Sequence, residues 1–449
     1  MISSISRKSR ALLGKPMIAL ALALGGVAGM AASPAVQAQE EQPELKPSND
    51  FRKAIAPVIE AFRATQANAD LQARAQEVRG AEGAAREQGR AELRQTLAED
   101  LALLRAAKDK IDNQSDRYYW GQFAINYGVL TDNPDLQLEG IVEETASGLQ
   151  TSTRKAQLSN ARAMIHFDRE EYAQARTAFQ TALDAGATDA NLRNNIVVTY
   201  IREGDRAGAL AYLNEMIEEQ AAVGTPDEQM LLRAYSIARE LEVPNANDYA
   251  FELVRFYPTQ KNWANAIILV RDDPSLSDEA VLDLQRLMVL TDSVQNRYDL
   301  TTLISLADTR KRPQEVLEAI ELGLQSGLLE ANDPIITEAR TEANRQVQED
   351  ETELVALDRD ARAASAAAIT PTVAGDAFLN YDQPAKAEEL YRIALDKQGA
   401  DVPMLMTRIG IAQLEQGKFQ EAQATFAEVT GARASVANLW RIYVLQQGG

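Results

Sequence analysis

Chemistry at an active site needs a nucleophile, an acid–base pair, a metal cage or a cofactor pocket, and few residues here have the type and spacing for any of them. The chain has one histidine, His166 in "MIHFDRE", and no cysteine. A lone imidazole acts as a base or a metal ligand only with partners, and no second His or any Cys supplies them. His166 is therefore expected to pack between helices. Carboxylates are plentiful but unfocused. "TDNPDLQLEG" (131–140) and "DRDAR" (358–362) approach the look of calcium loops, yet neither has a full run of oxygen ligands with a central Gly and a terminal Glu. There is no Gly-x-Ser-x-Gly elbow, and the one glycine-rich run, "GGVAG", lies in the leader. The residues predict no catalytic site, no metal and no cofactor.

That leader reads as a secretory signal. Arg7, Lys8, Arg10 and Lys15 precede the apolar "MIALALALGGVAGMAA" (17–32), and "AVQAQE" offers a small-residue cleavage site after Ala38. The expected destination is a soluble export compartment, the periplasm for a Gram-negative source. The alternative is an N-terminal membrane anchor, should the signal stay uncleaved. No other segment is apolar enough to span a bilayer. Without the signal the chain holds 42 basic and 66 acidic residues, a net of −24. Such a field repels nucleic acid and anionic lipid. With no cysteine to form disulfides, stability must come from packing.

Helical patterning runs along nearly the whole chain. Leu97, Leu101, Leu104 and Ile111 share a face, and Ser277 followed by Asp278 and Glu279 signals a helix start. Pro57 interrupts an early helix, and Gly80, Gly83 and Gly89 weaken the next stretch. Alternating strand patterns and Asn-Gly hairpin turns are scarce. One spacing organises the rest. Ala175, Phe179 and Ala182 return as Ala209, Leu213 and Met216, each 34 residues on. Gly375, Ala387, Tyr391 and Ala394 return as Gly410, Ala422, Phe426 and Val429, each 35 on. Small residues suit helices that cross closely, and large ones fill the space beside them. One such pair cannot bury both of its faces, so neighbours must stack.

These four units, over roughly 156–222 and 368–436, resemble the tetratricopeptide repeat, with its small first-helix residue and Ala–aromatic–Ala second helix. The resemblance implies an all-α, right-handed solenoid of antiparallel helix pairs in two sub-arrays joined by a charged helix. The expected organisation is a signal (1–38), a disordered leader (39–50), an N-terminal helical region (51–115) and an array with degenerate units (116–336). A charged linker helix (337–367) and a C-terminal repeat pair with a capping helix (368–449) follow. The stretch 337–362 has no aromatic and no sustained heptad, so it is read as a solvated helix.

The resemblance also implies a concave surface of first helices that holds a protein or peptide partner. Exposed first-helix positions would carry Asn160, Asp168, Asn194 and Arg202, with Asn195 beside them and Asp376 and Arg408 at comparable C-terminal positions. Asparagine offers a peptide backbone both a donor and an acceptor. The lysine of the family's carboxylate clamp is missing, since Asn160 and Thr372 stand at its position. The net charge favours basic or neutral partners. The leading expectation is a non-enzymatic exported scaffold of the cell envelope. The alternatives are an enzyme or ligand-binding domain within 39–115 or 225–365, or a protein that self-associates through its charged helix. A deep polar pocket with converging Asp/Glu and an Arg or Tyr would favour the enzyme, and an open groove the scaffold.

Overall fold

The computed structural model describes residues 44–189 and 191–448, less the side chains of residues 351 and 352. The expected signal segment lies outside them. Among the described residues the regular structure is helical, with no strand. The chain forms two compact units, one through Ala209 and one from Leu210, divided within a helix.

The first unit opens with an extended strap, residues 44–48, where a disordered leader was expected. Lys46 N–H donates to Ser115 Oγ (3.0 Å) and Ser48 N–H to Asp116 Oδ1 (2.8 Å), and these bonds hold the strap down. Helix α1 (Asn49–Ala67) then runs through Pro57 without a break, burying Phe51, Ile55, Val58 and Phe62. Packing on both sides of Pro57 offsets the bond its ring removes. Helices α2 (Ala69–Gly80), α3 (Gly83–Thr96) and α4 (Ala98–Lys108) complete a bundle against α5 (Gln114–Leu130). Phe62 meets Phe123 and Tyr127 edge-on, at centroid distances of 5.6 and 5.1 Å.

Helices α5 and α6 (Pro134–Ala146) touch backbone to backbone. A Cβ on Gly121 would lie 2.7 Å from Glu144 N and Gly140 O, and one on Gly140 2.7 Å from Gly121 O and Ile125 N. No side chain fits there, so glycines replace the usual small–large pairing. Helices α7 (Ser152–Asp168) and α8 (Tyr172–Asp184) form the next pair, followed by α9 (Asn191–Glu203) and α10 (Arg206–Val223). The repeat positions are interior: Ala175, Phe179, Ala182 and Ala209 have no exposed surface, and Leu213 and Met216 almost none.

The second unit continues with α11 (Glu228–Glu240), α12 (Ala246–Phe256), α13 (Gln260–Arg271), α14 (Asp278–Leu290), α15 (Arg297–Ala307) and α16 (Pro313–Gln325). Ser277 caps α14 by accepting from Ala280 N–H. The charged stretch is one helix, α17 (Pro334–Ala361). It is not solvated all round. Ile336 and Ala343 pack into the α15–α16 core, while Leu354, Leu357 and Ala361 pack into the core that follows. Asp350 lies on the same stripe, seven residues from Ala343, and accepts the Tyr381 hydroxyl at 2.6 Å. Its polar type hid the stripe in the sequence. The chain closes with α18 (Ile369–Asn380), α19 (Pro384–Leu395), α20 (Val402–Glu415), α21 (Phe419–Ala427) and α22 (Ala434–Gln447).

In this last part the small–large pairing is direct. A Cβ on Gly375 would sit 2.6 Å from the Tyr391 ring, and one on Gly410 2.6 Å from the Phe426 ring. The final helix does more than cap its neighbour. Val436, Ala437, Leu439, Trp440, Ile442 and Val444 share one core with Phe251, Trp263, Ile267 and Leu287 from α12–α14. Gln446 Nε2 donates to Val254 O at 2.9 Å, across 192 residues of sequence. The second unit therefore folds its end back onto its beginning.

One turn recurs between paired helices. The first or second residue after the helix adopts positive φ, and the next N–H reaches back five residues to a carbonyl, the Schellman arrangement. It occurs at Asp132, Glu170, Gly204, Glu242, Asp292, Asp382 and Gly417. Examples are Glu171 N–H to His166 O (2.9 Å) and Val243 N–H to Ala238 O (3.1 Å). Only two of the seven are glycine, although a non-glycine residue there costs about 1–2 kcal/mol, against glycine's entropic cost of about 0.5–1 kcal/mol. Glu170→Gly and Glu242→Gly should therefore each stabilise the protein by roughly 0.5–1 kcal/mol in urea unfolding. A loss of stability in both variants would contradict this account of the turns.

Candidate functional site

The sequence-predicted residues fall in two places, one in each unit. In the second unit the sequence-predicted Asp376 and Arg408 come together, but inside the fold. Arg408 is 1% exposed. Its Nη1 donates to both Asp376 oxygens at 2.8 Å, and its Nη2 donates to Glu279. Arg312, also buried, donates from Nη2 to Asp376 Oδ2 (2.8 Å) and Glu279 Oε2 (2.9 Å). The Tyr391 hydroxyl donates to Asp376 Oδ1 at 2.8 Å. Beside this group Asp283, with no exposed surface, accepts from Arg433 Nη1 (2.7 Å) and Arg286 Nη1 (2.9 Å). Arg286 also holds Glu315 with two bonds, at 2.6 and 2.8 Å. Trp440 Nε1 donates to the Asp283 carbonyl at 3.1 Å.

The positions follow from the helix starts. Glu279 and Asp283 lie one turn apart on α14, Arg312 precedes Pro313 at the start of α16, and Asp376 shares a face of α18 with Asn380. Four arginines thus face four carboxylates. Burial pushes the Asp283 carboxyl up, but Arg408, Arg433 and Arg286 outweigh it and hold the carboxyl below its ordinary value. Burial next to Asp376 holds the Tyr391 hydroxyl well above the usual tyrosine range.

Converging Asp, Glu, Arg and Tyr are the pattern expected of a hidden enzyme site. Here the carboxylate oxygens are taken up by the arginines and Tyr391, while Arg312 Nε and Nη1, Arg408 Nε and Arg433 Nη2 stay buried without a hydrogen-bond partner among the described residues. Both Asp376 oxygens are doubly engaged, and a carboxylate so saturated is a poor general base. The arrangement acts as a cross-brace between helices far apart in sequence. Sequence reasoning missed Glu279, Asp283, Arg286, Arg312 and Arg433, because their partners lie up to 150 residues away.

The first unit places its predicted residues differently. Asn160 lines an open cleft of about 600 Å³ between the start of α7 and the α8–α9 connection. Ser152, Thr153, Gln157, Thr188 and Asp189 line it too, around small residues at 185–187. Asn194 and Arg202 are exposed on α9, and Asn195 is half-buried. No described residue bonds the side chains of Gln157, Asn160, Asn194, Asn195 or Arg202. Asp168 is exposed, and its charge adds to the stronger effect of Asp132 in keeping the Arg86 guanidinium protonated. His166 is buried, with Nδ1 at 2.5 Å from Glu171 Oε2 and Nε2 accepting from Arg162 Nε at 3.4 Å. It is a bonded packing residue. No described group of His, Asp and Glu is arranged to hold a metal ion.

These helix pairs are tetratricopeptide-like in spacing and packing. No protein-family profile and no curated protein matches the chain. Among solved structures it is similar to a tetratricopeptide repeat protein from Parabacteroides merdae (13% identity, 58% of this chain and 99% of that one, TM-score 0.24). It is also similar to Naa15/Naa10 bound to HypK-THB (14%, 86% and 70%, TM-score 0.30). A third is the TPR2AB domain of yeast Sti1 in its pHSP90 complex (14%, 65% and 98%, TM-score 0.18). At such identities and scores these likenesses carry nothing about function, and the fold class rests on the geometry above.

Removing one member of a buried ion pair strands the other, at a cost of about 3–5 kcal/mol. Arg408→Ala should destabilise the protein by that amount in urea unfolding, and Arg408→Lys should recover only part, since an ammonium cannot reach both carboxylates as a fork. A change below about 1 kcal/mol would remove the cross-brace reading. A pH test is available at Glu388. Burial would raise its carboxyl, but Lys418, Arg392, Gln416 and Gln413 donate to it and pull it down to about 2. A depressed carboxyl stabilises the fold above its unfolded value and loses that effect as pH falls towards 2. The stability difference between wild type and Glu388→Gln should be full above about pH 5 and shrink progressively in acid. A difference independent of pH would show that the charge of Glu388 is not what matters.

Proposed function

We propose that the chain is a non-enzymatic, exported scaffold of the cell envelope that binds a protein or peptide partner along α7 and α9 of its first unit. The observation that carries this reading is a contrast between the units. In the second, the final helix and the Arg–carboxylate cluster occupy the interior. In the first, Asn160 lines an open cleft, and Asn194, Asn195 and Arg202 follow along α9, all four side chains without a bond to a described residue. Amides so placed can meet the N–H and C=O of an extended peptide, which recognises backbone more than sequence. Asp168 and Arg202 supply charge at the far ends of α7 and α9. On this reading Asp376 and Arg408 support the fold and do not touch the partner.

Export rests on the signal-like leader. Among the described residues no helix is long and apolar enough to cross a membrane. The test is in-cell crosslinking of the tagged protein followed by mass spectrometry. A dominant envelope partner is expected, lost in Asn194→Ala/Arg202→Ala while thermal stability stays unchanged. Self-crosslinks alone, or a partner indifferent to the double variant, would overturn the proposal.

A further inference from the structure

The cleft beside Asn160 has one formal charge among its lining residues, and that charge is negative. Asp189 is exposed at the turn before α9. Its Oδ1 accepts twice from Asn191, from N–H at 2.9 Å and from Nδ2 at 3.0 Å. These bonds fix the carboxylate at the mouth of the cleft. Its other oxygen, Oδ2, is bonded to no described residue. Ser152, Thr153, Gln157, Asn160 and Thr188 complete the polar lining without a cation. Lys155, although in the first turn of α7, is not among the lining residues.

Arg193, in the first turn of α9, has an interaction of its own and is not among the lining residues, so the positive charge left at this place is partial. The starts of α7 and α9 each carry about half a positive charge, fading within one turn and borne by backbone N–H groups. Such groups suit the carbonyls of a peptide.

We infer that the partner segment places a lysine or arginine side chain on Asp189, while its backbone runs over the amides of α7 and α9. This deepens the proposed function and rests on that reading of α7 and α9. The cationic head would donate to Oδ2, and the segment's carbonyls would meet the N–H and amide donors around it. A basic side chain is thereby selected at one position of an otherwise sequence-tolerant segment. Because Asp189 is exposed, the gain is modest, a factor of roughly three to ten in affinity.

A short random-peptide library panned on the immobilised full-length protein tests this. Wild type should enrich Lys or Arg at one position, and Asp189→Asn should still select peptides but lose that enrichment. A selected peptide should weaken by roughly three- to tenfold when its lysine becomes norleucine, and not at all on Asp189→Asn. Peptides selected by wild type without a basic position, or equally basic peptides selected by both proteins, would overturn the Asp189 anchor and leave the groove standing. Unchanged selection by Asn160→Ala/Asn194→Ala, or no selection by wild type, would overturn the groove itself and the anchor with it.

Discussion

Two helices that share a hairpin must approach until something small lies between them, and that constraint is visible in several of the described pairs. Where the sequence offers Gly375 and Gly410, the rings of Tyr391 and Phe426 lie where a Cβ would be. In the first array alanines meet the same need, with Ala163, Ala175 and Ala209 fully buried. At Gly121 and Gly140 both residues have shrunk and the backbones meet directly. These are three solutions to one steric problem. Each leaves an apolar outer face that only another pair can cover, so the array grows by stacking.

Stacking alone would leave the second unit with an open inner face. The chain fills it instead with its own last helix and with four arginines opposite four carboxylates. The apolar side of α22 supplies the stabilisation, because Trp440, Leu439 and Val436 leave water entirely. The ionic side contributes geometry more than energy. Desolvating charges cancels much of their attraction, yet a fork from Arg408 to Asp376 and Glu279 permits only one relative placement of α14, α18 and α20. Apolar burial tolerates sliding, and buried bidentate pairs do not.

Legibility from the sequence follows the range of the interactions. Repeat positions were readable because a helix fixes its own small–large spacing locally, and all six of the first-array residues named on that basis are interior. The start of α14 was readable for the same reason, through Ser277. The turns were harder to see, since aspartate and glutamate take positions where glycine is the usual sign. The α17 stripe was masked by Asp350, which counts as polar until Tyr381 is seen to satisfy it. The ion cluster was out of reach. Asp376 and Arg408 stood out as polar residues on first helices, and exposure was the natural inference. Nothing within a helical turn of either one announces Glu279 or Arg312, which cover them from 129 and 64 residues away.

That error in burial carries the functional argument. A polar residue on a first helix has two fates, to be paid in hydrogen bonds by the chain's own side chains or to wait for those of a partner. The second unit takes the first course. It has drawn Asp376 and Arg408 into one buried ionic cluster and packed α22 into its core. The first unit has amides on α7 and α9 with no intramolecular claim on them, an accessible cleft, and a carboxylate tethered through one oxygen only. An unclaimed amide is cheap to keep in water, so its presence alone says little. What gives these amides weight is their company. Asn160 lines a concavity, Asn194 and Asn195 follow on the next first helix, and the proposed peptide would lie across both.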